Sequence, residues 1–284
     1  MLLAQVLPLA LFILAAEWAI GSFAVMLMSD FQGEISGAFL GRYALTFFAG
    51  ALFTLWLRSQ YPPLETLRDL NFRSEWLGRE RNAFVWFVVF LGLYNPAVWF
   101  GLRTARRIAG GLATLAGAAT LVFSALAYGQ APWAGFGTIV NFLLGCLALG
   151  AGTMGLAVGH SYLTHPMSHR PLRDITIVLF CALLAQIISL PVYLGFLGGF
   201  LGGFLGSPTV AAKGSELLGT YGLILGVRLA IGLLFPLVLA GLAWHTTRMQ
   251  AMRSATGLLY IGSGVILTGE IVAKVLFFIG GIPI

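Results

Sequence analysis

Eight apolar runs, each about as long as a bilayer is thick, constrain this chain more than any other feature. They lie at roughly 3–28, 38–57, 83–102, 108–128, 138–162, 174–196, 217–245 and 256–280. A helix needs about 20 mostly apolar residues to cross the hydrocarbon core. In that medium every backbone N–H and C=O must be satisfied internally, so the runs predict helices. The expected fold is an all-α integral membrane protein, with residues 1–284 forming one polytopic domain of eight transmembrane helices. The first run has no basic segment before it and is long, so it reads as a retained span and not as a cleaved signal.

The charges that remain act as orientation signals. Only 9% of the residues are charged, far below the roughly 25% of a soluble domain. Arg103, Arg106 and Arg107 follow the third run, Arg170 and Arg173 the fifth, and Arg248 and Arg253 the seventh. Those loops share one face, which the positive-inside rule places in the cytoplasm. Both termini are then expected on the extracytoplasmic side. No clustered basic face exists for nucleic acid. Cys146 and Cys181 stand apart inside apolar runs, so no iron–sulfur cluster, metal site or disulfide framework is expected in this chain.

One segment conflicts with that orientation. Residues 58–82 face outward, yet 58–81 holds five Arg and four acidic residues. Pro63 suits a first helical position, and Leu64, Leu67 and Leu70 mark one face of a short surface helix. Arg68, Asp69, Arg73 and Trp76 would face a soluble partner, with Glu80 at the mouth of a membrane site. The segment is therefore expected to be an extracytoplasmic docking loop. The Phe-Leu-Gly-Gly repeat from Gly195 to Gly206 reads as an interfacial connection, or as a flap over a lipid-facing site.

Ionisable groups inside spans are costly and usually paired or functional. Glu17, Arg228, Glu270 and Lys274 are the clear cases. Glu270 and Lys274 share a helix face at i, i+4. Arg228 lies 17 residues before His245, about 25 Å along a helix axis. The four are expected to form a neutral cluster that opens outward. It would serve as an ion-pair clasp, or as a site where bases hydrogen-bond the ring oxygens of a quinone and a carboxylate exchanges protons. His160 and His245 each end an odd-numbered run and offer an alternative reading as ligands of a b-type haem. A secondary transporter, with Pro191 and Pro236 as helix breakers, is a further alternative.

Several of these stretches resemble one family. Pro62-Pro63-Leu64, Leu67-Arg68-Asp69-Leu70-Asn71 and Ser74-Glu75-Trp76-Leu77-Gly78-Arg79-Glu80 resemble the loop after the second helix in membrane anchors of the dimethyl sulfoxide reductase and polysulfide reductase type. Gly269-Glu270-Ile271-Val272-Ala273-Lys274 with Phe277-Phe278 is similar to the last helix of that family, and Tyr221-Gly222 with Arg228 to its seventh. The resemblance implies a respiratory subunit in a bacterial cytoplasmic membrane, without an iron–sulfur cluster or haem of its own, that binds quinol near the outer face. Its implied partners are an iron–sulfur electron-transfer subunit and a molybdenum catalytic subunit. Glu80 matches the family's loop acid and Glu270 the acid of its last helix. Two positions depart. Arg58-Ser59-Gln60-Tyr61 stands where a histidine is common, and Lys274 where arginine is common.

Overall fold

A computed structural model describes residues 2–61, 72–129, 135–164, 168–193 and 208–280, with side chains over somewhat narrower ranges. The described residues are helical: α1 (Leu2–Gln32), α2 (Gly37–Ser59), α3 (Leu77–Trp99), α4 (Arg103–Tyr128), α5 (Phe136–Thr164), α6 (Arg170–Tyr193), α7 (Pro208–Leu229), α8 (Phe235–Arg248) and α9 (Met252–Gly280). A 3₁₀ turn, Ser74–Trp76, leads into α3. A π turn, Ala230–Leu234, joins α7 to α8, so that these two form one span over Gly219–Arg248. Among the described residues, eight helical segments are long and apolar enough to cross a membrane.

The helices pack as two four-helix bundles sharing a wall. In one, α1, α2, α3 and α4 form a ring of neighbours; in the other, α5, α6, α8 and α9 do. The wall is α1 against α5, with α9 and α4 completing it. A helix that is apolar all round belongs in the interior, and α1 obeys: Leu9, Phe12, Ile13, Ala16, Ile20, Phe23 and Met26 are all fully buried. Small residues permit the close crossing, as is usual between helices in lipid. A methyl group on Gly21 would overlap the backbone carbonyl of Cys146, and one on Gly150 would overlap Gly21.

The two ends of the bundle are built differently. At the arginine-rich end the chain reverses in tight turns. Ser36 caps α2 by accepting from the Phe39 N–H at 3.3 Å. Gly101, at φ +70°, closes α3 with the paired bonds Gly101 N–H to Val98 O and Leu102 N–H to Ala97 O. Gln250 takes the same left-handed position after α8, at φ 60°, where glycine is the usual choice. Opposite, the connections are longer and fall mostly outside the described residues. These include 62–71, with the surface helix expected there, and 194–207, with the Phe-Leu-Gly-Gly repeat. The helices also claim both ends of the expected docking loop: Arg58 lies in the last turn of α2, and Glu80 in the first turn of α3.

Candidate functional site

Glu17, Arg228, Glu270 and Lys274 come together where α1, α7 and α9 meet, and each is 1% exposed or less. Arg228 Nη2 lies 3.1 Å from Glu270 Oε1. Lys274 Nζ sits between the two acids, 2.7 Å from Glu17 Oε1 and 3.5 Å from Glu270 Oε2. It also stands over the Phe142 ring, 4.9 Å from the centroid. Two acids and two bases cancel, which makes burial of four charges tolerable.

Local sequence explains the geometry. Pro236 has no N–H, so the Gly232 carbonyl loses its ordinary i+4 donor. The helix widens there into the π turn, whose Phe235 N–H returns to Ala230 O. Arg228 Nη1 reaches the Gly232 carbonyl at 3.4 Å. Gly232 and Gly269 meet backbone to backbone, where a methyl on either would clash. That approach draws Arg228 onto Glu270. Gly145 on α5 leaves the remaining room, since a methyl there would sit 3.0 Å from Glu270 Oε2 and 3.1 Å from Glu17 Oε2.

Gln186 on α6 is a fifth member that the sequence reading did not single out. Its Nε2 donates to Glu270 Oε1 at 3.0 Å, and its Oε1 accepts from Arg228 Nη2 at 3.3 Å. A lone amide inside an apolar run was its only signal. Two buried atoms are left over: Glu17 Oε2 and Arg228 Nε have no protein partner among the described residues. One is an acceptor and the other a donor.

Glu80 lies apart from this tetrad, in a cluster of its own. It is fully buried and accepts from Arg58 Nε at 3.1 Å, Ser124 Oγ at 2.9 Å and the Tyr128 hydroxyl at 3.2 Å. The Tyr61 and Tyr128 hydroxyls are 3.0 Å apart. Tyr128 has one proton, so if it donates to Glu80 then Tyr61 donates to Tyr128. The Arg58 guanidinium stacks on the Tyr61 ring at 3.9 Å. Burial, then the Glu80 carboxylate, pushes the Tyr61 phenol well above its ordinary range, so it remains a donor. Thus tyrosine stands in the segment where the resemblance led one to look for histidine. Aromatic rings connect the two clusters: Tyr128 to Phe278 at 5.6 Å, Phe278 to Phe277 at 5.1 Å and Phe277 to Phe142 at 5.2 Å.

The remaining candidates scatter. Trp76 stacks on Phe123 of α4 at 5.8 Å and carries Arg79 at 4.6 Å, so much of its ring is committed to packing. Arg73 is exposed. Arg68 and Asp69 lie outside the described residues. His160 is exposed, with Nδ1 2.7 Å from the Tyr260 hydroxyl, and His245 is exposed in the last turn of α8. Among the described residues, no group of three or more His, Cys, Asp or Glu could hold a metal ion.

At the arginine-rich end Asp30 forms another buried cluster. Arg106 grips both its carboxylate oxygens, with Nε 3.0 Å from Oδ2, and the Tyr94 hydroxyl donates at 3.1 Å. Arg107 Nη2 reaches the Asp30 and Phe31 carbonyls at the end of α1. No family model, curated protein or solved structure matches this chain.

Proposed function

We propose that the chain is a quinone-reactive membrane anchor of a respiratory oxidoreductase in a bacterial cytoplasmic membrane, with both termini outside. In this reading it passes electrons between the quinone pool and an iron–sulfur partner subunit, which in turn serves a molybdenum catalytic subunit. The observation that carries the reading is the buried, charge-neutral tetrad with two open valences, Glu17 Oε2 and Arg228 Nε.

Arg228 and Lys274 supply the cationic donors that hold a ring oxygen. Glu17 and Glu270 supply carboxylates able to take the protons that quinol loses as its two electrons leave. Lys274 lies within reach of both acids, so it compensates whichever of them is charged. The Glu80–Tyr128–Tyr61 chain gives a route for protons toward the end of the bundle that carries the 58–82 segment. The partner subunit would dock there, near Arg68, Asp69, Arg73 and Trp76.

Quinol-analogue binding and quinol oxidation by the purified complex test this. Arg228→Ala and Glu270→Gln are each expected to lower oxidation by about a hundredfold or more, the scale of a lost proton-transfer or charge-stabilising group. Full activity in both variants would end the proposal. So would purification of the chain from its source membrane without any iron–sulfur subunit.

A further inference from the structure

A trough runs along the lipid-facing side of the wall, between α2 and α9, and its floor is α1 and α5. Two cavities of about 280 and 390 Å³ compose it, and they share Trp18, Thr153, Leu156 and Tyr260. Its walls are ring-rich, with Trp18, Tyr43, Phe47 and Tyr260. The Trp18 indole is locked by donating to Thr153 Oγ at 3.0 Å. Two other polar groups along it are spent: Thr46 donates to Arg42 O, and Ser263 to Gly152 O and Leu259 O.

His160 is different. It is exposed at one end of the trough, its Nδ1 tied to Tyr260, which leaves Nε2 for a ligand. Tyr260 and Nδ1 share a single hydrogen-bonding proton. Whichever of them donates, Nε2 presents the complementary role. Such a pair suits a group that is an acceptor in one state and a donor in another, as a ring carbonyl and its hydroxyl are. Neither Lys, Arg, Asp nor Glu is among the described residues that line the trough, so it offers a phosphate no fixed charge. That argues against a phospholipid headgroup and for a neutral one.

We infer that this trough binds a neutral, ring-headed lipid of the quinone class, with a ring oxygen on His160 Nε2 and an isoprenoid tail running along Leu156 toward Ile266 and Leu267. The ligand class matches the reading above, but the site does not. His160 lies 15 residues beyond Gly145 on α5, about 22 Å along the helix from the tetrad.

The probe is a photoreactive azidoquinone with a short isoprenoid tail, added to the purified full chain in phosphatidylcholine nanodiscs and mapped by mass spectrometry. Labelling, read residue by residue, is expected at Tyr43 and Tyr260 and not at Glu17 or Glu270. Leu156→Trp, which intrudes on both cavities, is expected to cut it about tenfold. His160→Phe, at an exposed position, is expected to weaken azidoquinone binding about tenfold, the order of one hydrogen bond. Labelling unchanged in Leu156→Trp overturns the inference, as does displacement by phosphatidylglycerol as effective as that by unlabelled quinone. Glu270→Gln separates the two readings. Trough labelling persists in that variant if the site is independent, whereas quinol oxidation falls only if the tetrad is the reaction site.

Discussion

Helix α1 sends one acid into each of two buried ionic clusters, Glu17 from its middle and Asp30 from its last turn, and the two clusters are unlike. Asp30 meets one arginine that grips both its oxygens, one phenol, and a second arginine on the backbone carbonyls nearby. Each carboxylate oxygen has its donor, Arg107 Nε is the buried atom there without a partner among the described residues, and Arg106 remains 12% exposed. Glu17 instead meets a lysine that it shares with Glu270, and one of its oxygens has no donor. The Asp30 carboxylate is thus held at both oxygens, while the Glu17 carboxylate is held at one, by a cation it shares. On the reading proposed above, the first fastens helices and the second exchanges protons.

The contrast can be broken at either cluster. Asp30→Ala strips the buried partner from Arg106 and is expected to cost about 3–5 kcal/mol of stability. It should leave quinol-analogue affinity per folded molecule unchanged, as read by detergent-melting curves beside binding. A fall in affinity as large as that of Arg228→Ala would erase the distinction. At the tetrad, Lys274→Met alone leaves excess negative charge and is also expected to cost about 3–5 kcal/mol. Pairing it with Glu17→Gln restores neutrality, and most of that loss should return while quinol oxidation does not. If the double variant melts no higher than the single one, charge balance is not what holds the tetrad.

Smaller changes sharpen the comparison. Gly145→Ala crowds both carboxylates and is expected to cost about 1–3 kcal/mol, the usual scale of overpacking. Unlike Asp30→Ala, it should lower quinol oxidation as well, because the methyl presses on Glu17 and Glu270 themselves. Gln250→Gly relieves a left-handed backbone at the Asp30 end, with an expected gain of about 1 kcal/mol and no change in activity. Its melting curve fixes the size of an ordinary local effect.

The spans were plain in the sequence because burial in lipid demands long apolar helices, and only their ends moved. Asp30 fell just past the expected end of the first run, so its cluster went unseen. Glu17, Arg228, Glu270 and Lys274 were legible because a charge inside a span stands out. Gln186 is neutral and drew no notice among apolar neighbours. Arg58 and Glu80 were read as loop charges, yet α2 and α3 are long enough to hold both, and they pair with each other. Tyr61, Ser124 and Tyr128 became meaningful only through packing, which local spacing does not encode. The wide turn at 230–234 could have been suspected from Pro236, but the close approach of Gly232 to Gly269 required the tertiary fold.

That turn also sets a reading frame. A π turn takes up one residue more than a regular helix over the same rise, and each residue rotates the chain by about 100°. Everything beyond Leu234 is therefore dialled round by that amount relative to Arg228. Deleting one residue from 230–234 would swing the face of α8 that meets α6 and α9 toward lipid, or else drag Arg228 off Glu270. The seventh span thus consists of two registers spliced in mid-membrane, and an alignment that crosses the splice without a gap matches only one of them.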